Sequence, residues 1–466
     1  MKLSQLIACK EEIANLEIKG ITDDSRKVKN GYAFVDTQNN IAYVESAIKN
    51  GAAVIVTSNS CNFENEIIVE NTKIAYAKIT ANWFSNPAKD LIIIGVTGTN
   101  GKTTVSHMVK AILESAGEKV GLIGTVGYYI DGEVFTSINT TPNPYYLNEL
   151  FSKMREKGCR YVVMEVSSHS LDRDYLYGID FRVAMFTNLT QDHLDYHGNM
   201  ENYYLAKRKL FSMCRCAVIN KDDEYSNRLL NETVCKKITY SISENSDYIA
   251  KSINYFPNKV TYQLLSDGIT AIKINAPGKF TVYNSLCATA CALELGIEVN
   301  DISNALANIN GVKGRAEVVE NTGDFTVIID YAHTPDGLKN VLKTFKECKK
   351  NRLIVLFGCG GDRDRTKRSQ MGEIASIYAD YVIVTSDNPR TENPRQIIDD
   401  IMKGIPSGRS TTKIIENRSE AIKFALSIAE KDDIIVLAGK GHENYQIIGK
   451  EKFPFDEREI IYDALK

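Results

Sequence analysis

Gly95-Val96-Thr97-Gly98-Thr99-Asn100-Gly101-Lys102-Thr103-Thr104-Val105 follows directly on the apolar run Leu91-Ile92-Ile93-Ile94. An apolar strand entering a glycine-rich turn that opens a helix is the arrangement of a phosphate-binding loop. Glycines at Gly98 and Gly101 let backbone amides approach an anion, Lys102 supplies a point charge to the outer phosphates, and the Thr103 hydroxyl suits magnesium. The spacing is not a strict GxxxxGK[ST], because Val96 stands five residues before Gly101 while glycines fall at Gly95 and Gly98. The loop is a compact variant. Val105-Ser106-His107-Met108-Val109-Lys110-Ala111-Ile112-Leu113 reads as the following helix, with His107 on its surface. A tight turn with an exposed lysine is the bland alternative, and the strand and helix on either side weigh against it.

The bulk properties narrow the setting of that loop. A chain of 466 residues exceeds what one core organises, so two to four domains are expected, three being the central estimate. A net charge of -3 leaves no basic excess for a nucleic-acid backbone, so DNA and RNA are not expected partners. No apolar run is long enough to span a bilayer, and MKLSQLIACKEEIANLEIKG turns acidic before a secretory core forms. A cytoplasmic protein without a membrane partner is expected, acting as a monomer. The ten cysteines are scattered, and Cys214 with Cys216 forms the close pair without a zinc-like partner set, so both read as structural thiols.

The alternation of elements predicts an α/β fold of three domains. Residues 1–90 read as a small α/β module, with strands at Gly31 to Val35 and Ala52 to Val56 around a helix at Tyr43 to Lys49. A turn-rich boundary follows at Phe84 to Lys89. Residues 91–312 carry the phosphate loop and strands at Val120 to Ile123, Tyr161 to Met164 and Val183 to Phe186, short apolar runs that indicate a parallel sheet covered on both faces. Residues 313–466 restart the pattern at Phe325 to Ile329, Leu353 to Phe357, Tyr381 to Thr385 and Ile434 to Ala438. This is a second, Rossmann-like doubly wound unit.

In open parallel sheets ligands collect at the carboxyl ends of strands, so the residues just after each apolar run are where chemistry is expected. Glu165-Val166-Ser167-Ser168-His169 follows one strand and Thr187-Asn188-Leu189-Thr190-Gln191-Asp192-His193-Leu194-Asp195-Tyr196-His197 the next. A carboxylate and a histidine beside bound phosphates suit a divalent cation. Five of six histidines, His169, His193, His197, His333 and His442, fall in such strand-end blocks, whereas a lone one would more often be a satisfied polar group. Lys207, in Tyr203-Tyr204-Leu205-Ala206-Lys207-Arg208-Lys209-Leu210, reads by itself as part of a solvated helix face.

GTNGKTT, MEVSSHSL, FTNLTQDHLDYHG, YYLAKRKLF, GVKGRAEVV, DYAHTPDGL, GCGGDRDRTKR, DNPRTENP and AGKGHENYQ, in this order along the whole chain, resemble the motifs of the Mur ligase family. These are ATP-dependent ligases that extend the peptidoglycan precursor peptide. The resemblance implies that a substrate carboxylate takes the γ-phosphoryl group of ATP and an amine then displaces phosphate, chemistry that depends on positioning and charge neutralisation. It implies an ATP site at Gly98, Thr99, Asn100, Gly101, Lys102, Thr103 and Thr104, completed by Asn188, Arg315 and Asp330. It implies magnesium held by Thr103, Glu165, His193 and Lys207, with Lys207 carried as a carbamate, which reverses the reading of a solvated lysine. Lys102, Glu165, His193 and Lys207 are then the catalytic set.

The same resemblance assigns the UDP-linked dipeptide to Ser25, Arg26, Asn139, Thr140, Thr141 and Ser167, and the incoming amino acid to Arg363, Asp387, Asn388, Pro389, Arg390, Gly439 and Glu443. Asp387-Asn388-Pro389-Arg390 discriminates most, because an arginine there forks onto a carboxylate. Diaminopimelate carries such a carboxylate on its second amino-acid head and lysine does not; the family's lysine-adding members generally lack this pattern. Diaminopimelate is the expected added amino acid and L-lysine the alternative. Closure of the last domain over the middle one is expected. Departures from the family pattern are Tyr175 where an arginine is usual, with Arg173 nearby; Asp36 to Tyr43 in place of a Gly-rich, DGH-like stretch; and Thr281 where asparagine is common.

Overall fold

The structure is a computed structural model that describes residues 1–309, 311–320 and 323–466. Residues 1–239 and 240–466 form two compact units.

The first unit opens with a small parallel sheet, β1 (Gly20–Thr22), β2 (Tyr32–Val35), β3 (Ala52–Thr57) and β4 (Glu66–Ile68), in the order β1-β2-β3-β4. Buried Val35, Val54 and Val56 face buried Tyr76 and Ile79 of helix Thr72–Trp83, so the alternating apolar residues of the strands meet one face of the helix. Ser85 and Asn86 then take positive φ and lead through a short 3-10 turn at Pro87–Asp90 into the next strand.

The larger sheet of this unit contains β5 (Ile92–Thr97), β6 (Val120–Ile123), β7 (Tyr128–Ile130), β8 (Glu133–Phe135), β9 (Tyr161–Glu165), β10 (Phe181–Phe186) and β11 (Cys214–Asn220), in the order β11-β10-β5-β9-β6-β7-β8. Five central strands are parallel, and β7 and β8 extend the edge as antiparallel strands. Strand β5 lies between β9 and β10, with Val96 opposite Glu165 and Thr97 opposite Phe186. The phosphate-loop segment thus leaves the middle of the sheet, next to the ends of the two strands that carry Glu165 and Thr187.

In the second unit Tyr240 and Ser241, the last residues of β12 (Lys236–Ser241), pair in parallel with β13 (Tyr248–Phe256), which continues into antiparallel β14 (Lys259–Leu265) and β15 (Ile269–Ile274). These antiparallel strands add to those expected from the sequence: the alternating residues of 248–274 bury Ala250, Val260, Tyr262, Leu264 and Ile272 and leave most of their neighbours partly or fully exposed, the signature of a one-sided antiparallel meander. Next come β16 (Glu317–Val319), β17 (Thr326–Asp330), β18 (Leu353–Phe357), β19 (Tyr381–Val384), β20 (Thr411–Ile414) and β21 (Ile434–Ala438), in the order β16-β17-β21-β18-β19-β20. All are parallel except β16, and apolar cores lie on both faces, as a doubly wound fold requires. A hairpin, β22 (Tyr445–Ile448) and β23 (Glu451–Pro454), follows β21. Among the described residues no helix is long and apolar enough to cross a membrane.

Candidate active site

The loop after β5 requires its glycines. Gly98 has φ 149°, and a Cβ there would lie 1.8 Å from Oγ1 of Thr187; Gly101 has φ 90° and starts helix Lys102–Ser115. The loop is clipped to the end of β10. Thr99 N donates to Asn188 O at 2.9 Å, Asn100 N to Asn188 Oδ1 at 2.9 Å, and Thr187 Oγ1 to Asn100 O at 2.6 Å. Lys102 Nζ folds back onto Gly98 O (2.9 Å) and Thr99 O (2.8 Å), which holds the ammonium over the loop. A helix N-terminus with a cation on one side suits an anion.

Glu165, fully buried at the end of β9, organises the neighbouring hydroxyls. Its Oε2 accepts from Thr103 Oγ1 and Thr125 Oγ1, each at 3.0 Å, and its Oε1 from Thr125 N at 2.9 Å. Thr125 Oγ1 lies 3.0 Å from Thr140 Oγ1, and Thr141 Oγ1 donates to the Glu165 carbonyl at 2.8 Å while accepting from Ser167 N at 2.9 Å. Ser167 caps helix Ser168–Asp172, and Tyr128 OH donates to Asn139 O at 2.7 Å. The structure therefore brings Thr103, Glu165, Asn139 to Thr141 and Ser167 into one bonded chain.

Lys207 is corrected from a solvated helix face to a buried residue. It projects from helix Met200–Arg208, only 3% exposed, and donates from Nζ to Gly98 O at 2.8 Å over the ring of Tyr203. Burial, then the charge of Lys102, pushes its amine well below the usual lysine range, opposed by Asp192. His193 takes φ 53° and its side chain is about half exposed at 48%. Its imidazole is held below the ordinary range by partial burial, against the pull of Asp192 and with the push of Lys102 and Lys207. His169 stands edge-on to His193 with ring centres 5.1 Å apart, and burial followed by the other two histidines lowers it to about 4. His197 is buried and its Nε2 lies 2.9 Å from Ser168 Oγ. Among the described residues no three His, Cys, Asp or Glu side chains converge as metal ligands.

In the small sheet, Ser25 is buried and its carbonyl accepts from Asn50 Nδ2 at 2.9 Å, whereas Arg26 is exposed and paired to Asp24 at 2.9 Å. Asp36, at the end of β2, is buried and accepts from Asn40 N at 3.1 Å, so the unexpected stretch after this strand is closed by its own capping turn. One other sequence reading is corrected. His107 is half-buried, 2.9 Å from Thr103 O and edge-on to Tyr129, because its face of the helix lies against the sheet edge. Cys214, read as a structural thiol, lies 3.5 Å from Cys235.

The second unit gathers its motif residues at the carboxyl ends of β17, β18, β19 and β21. Asp330 is buried and accepts from Ala316 N (2.6 Å) and Ala332 N (2.8 Å), which ties the segment carrying Arg315 to β17. Burial raises the Asp330 carboxyl, opposed first by Arg315. The Arg315 guanidinium lies 4.6 Å over the Tyr331 ring, and Tyr331 is flanked by His333 and His442. Asp387 Oδ1 accepts from Asn388 N, and a Cβ at Gly439 would stand 2.7 Å from Oδ2 of Asp387. Asn388 Nδ2 donates to Glu443 Oε2 at 3.0 Å.

Arg390 is held in the left-handed region at φ 51°, with its N–H on Ile447 O and its carbonyl accepting from Gly449 N. Its Nη1 donates to Gly361 O at 2.8 Å, its single side-chain hydrogen bond among the described residues, so further guanidinium donors stay available. Pro389 is buried, its carbonyl 1.9 Å from where a Cβ of Gly361 would be. Arg363 is exposed on the adjoining loop, above Gly360.

Sequence reasoning passed over several residues that build these sites. Thr125 lies in no motif, and Thr187, Thr190 and Tyr203 lie in motifs without a role assigned to them, yet the Thr99 hydroxyl donates to Thr190 O at 3.1 Å and lies 3.2 Å from Tyr203 OH. Lys440 is fully buried beside Asn388 and Glu443, and Arg418 is fully buried against Glu457 at 2.8 Å. A lysine between glycines at a strand end was the available signal for Lys440; nothing in the local pattern marks Arg418.

Residues 96–292 match the Mur ligase middle domain and residues 314–441 the Mur ligase glutamate ligase domain. The chain is 47% identical to UDP-N-acetylmuramoyl-L-alanyl-D-glutamate–2,6-diaminopimelate ligase of Caldanaerobacter subterraneus subsp. tengcongensis, over 97% of this chain and 95% of the relative. It is 46% identical to such a ligase of Clostridium acetobutylicum, over 100% and 99%. A solved structure of a ligase of that name superposes with TM-score 0.74 at 33% identity, covering 100% of this chain and 98% of the other. The MurF ligase of Thermotoga maritima, solved in complex with ADP, has the same fold at TM-score 0.63 and 17% identity, covering 98% of each chain.

Proposed function

Because the chain belongs to the Mur ligase family of ATP-dependent, amide-forming ligases, we propose that it adds meso-2,6-diaminopimelate to UDP-N-acetylmuramoyl-L-alanyl-D-glutamate in peptidoglycan precursor synthesis. A carboxylate oxygen of the D-glutamate attacks the γ-phosphorus of ATP, the bond to the β-phosphate oxygen breaks, and ADP leaves behind an acyl phosphate. The amine of diaminopimelate then attacks the acyl carbon, inorganic phosphate departs, the ammonium loses its proton and the amide is left. Activation is needed because a carboxylate is a poor electrophile.

The chain's own groups suit these demands. The N-terminus of helix Lys102–Ser115 and the Lys102 ammonium hold and neutralise phosphate oxygens, on a loop fixed by the bonds of Thr99 and Asn100 to Asn188. Asn188, Arg315 and Asp330 keep the nucleotide assignment that the family motifs give them. The donor set fits magnesium, since Thr103 and Glu165 present oxygens within 3.0 Å of one another and His193 lies near the two lysines. Magnesium, when bound, neutralises phosphate charge. A carbamate on Lys207, which the family motifs imply, would supply a further carboxylate-like oxygen to the metal. It forms as the neutral amine adds carbon dioxide and releases one proton, and the buried amine beside Gly98 is placed for it.

The observation that carries the choice of amino acid is Arg390. A non-glycine residue held at positive φ by backbone bonds on both sides, with most of its fork uncommitted, is a rigid receptor for a carboxylate. Asp387, Asn388, Gly439 and Glu443 supply the partners of the ammonium beside it. We assign 1–90 to the UDP end of the substrate, 91–312 to ATP and 313–466 to the amino acid. One chain supplies every assigned residue, and a cytoplasmic monomer is the working form. Phosphate release with ATP, magnesium and the UDP-dipeptide tests the reading: it should depend on diaminopimelate, and equal stimulation by L-lysine would refute the amino-acid assignment.

A further inference from the structure

Lys440 stands two residues beyond β21 between Gly439 and Gly441, and its side chain is 0% exposed. An ammonium so enclosed is strongly disfavoured unless it is paired. Its Nζ lies 3.1 Å from Oε2 of Glu443 and 3.2 Å from Oδ1 of Asn388, with the rings of Tyr445 and Phe455 centred 5.7 and 5.8 Å away.

These contacts decide how two other side chains point. Oδ1 of Asn388 accepts from Lys440 Nζ and from Ile447 N at 2.9 Å, while Nδ2 donates to Glu443. An ammonium and a backbone N–H donate only, so a flipped amide would set its NH2 against two donors. Glu443 Oε2 receives both Lys440 Nζ and Asn388 Nδ2, and among the described residues Oε1 accepts no hydrogen bond. One carboxylate oxygen is thus fixed internally and the other is left for a cation.

We infer that Lys440 is a positioning residue for the amino-acid substrate: it locks the Asn388 amide and anchors one oxygen of Glu443, so that the other meets the ammonium of the incoming amino acid. The inference rests on the amino-acid assignment made above. Without the lysine, the amide loses its orientation and Glu443 its second anchor, which weakens capture of the amino acid and leaves the phosphate loop untouched. A lysine that merely supported the fold would affect all substrates together.

The test uses the full chain with Lys440→Met, Lys440→Gln, Glu443→Gln and the double variant Lys440→Met/Glu443→Gln, reading phosphate release against diaminopimelate at saturating ATP and the reverse. Lys440→Met is expected to raise KM for diaminopimelate at least about tenfold with KM for ATP within about twofold, and to add less than about threefold on top of Glu443→Gln. Lys440→Gln, which still donates one hydrogen bond, should fall between and decides the matter if the methionine variant does not fold. Unchanged KM for diaminopimelate, parallel rises for both substrates, or independent multiplication in the double variant would overturn the inference. Lack of diaminopimelate-dependent release by the unsubstituted protein would overturn the underlying assignment as well, and is seen before any variant is made.

Discussion

The phosphate-loop site and the amino-acid site are built by opposite means. Around Gly98 to Thr103 the loop is held by backbone amides and small hydroxyls, with one buried carboxylate, Glu165, and one buried amine, Lys207, at its centre. Around Arg390 the framework is made of charged and amide side chains that hold one another, Lys440 with Glu443 and Asn388, and Arg390 on Gly361. Under the proposed function, the first arrangement presents preorganised dipoles to a polyanion whose charge changes during reaction and so would govern turnover. The second sorts ligands by the placement of their charges, so it governs affinity for one substrate.

That contrast is broken most sharply at Lys207. Lys207→Ala should lower kcat by about 10²–10³, the scale for losing one preorganised charge stabiliser, and a short-chain carboxylate should restore part of it. Full activity without rescue would contradict the carbamate. On the other side, Arg390→Ala removes a charge-assisted contact worth about 1.5–3 kcal/mol, roughly ten- to hundredfold in KM for diaminopimelate, with KM for ATP kept. A fall in kcat of the same size with unchanged KM would erase the distinction between the two sites.

Smaller effects sharpen it. Burial, followed by Arg315, Arg458 and Lys313, lowers His442 to about 4, while an imidazole in the unfolded chain titrates near 6.5. Between these values the unfolded chain binds the extra proton, so the stability that comes from the neutral ring is complete above about pH 6.5 and is lost as pH falls toward 4. The difference in urea midpoint between the unsubstituted protein and His442→Gln should therefore shrink as pH falls through that window; a constant difference would refute the shift. Least of all, Arg26→Ala, an exposed residue paired with Asp24, should change stability by less than about 0.5 kcal/mol while raising KM for the UDP substrate.

Much of this was legible in the sequence because it is local. Strand ends, glycines that need positive φ and motif residues a few positions apart follow from short stretches, and Leu353–Phe357 and Ile434–Ala438 form strands with the expected bounds. What escaped depends on distance along the chain. Lys207 looks solvated from its local pattern, a reading that the family motifs already reverse, and its burial comes from the contact with Gly98, 109 residues away. Lys440 becomes informative only when β19 and β21 bring Asn388 beside it, and Arg418 only when Glu457 closes over it. The antiparallel meander at 248–274 was missed, although its residues alternate.

The central claim is that an ATP site built on Gly98 to Thr103 serves an amino-acid site built on Arg390. The most direct measurement is phosphate release by the purified chain with ATP, magnesium and UDP-N-acetylmuramoyl-L-alanyl-D-glutamate, with diaminopimelate and L-lysine in competition. The account predicts that diaminopimelate drives release and enters the product, and that lysine neither replaces it nor competes at comparable concentration. Incorporation of lysine at an equal or higher rate, or release independent of any amino acid, would contradict it.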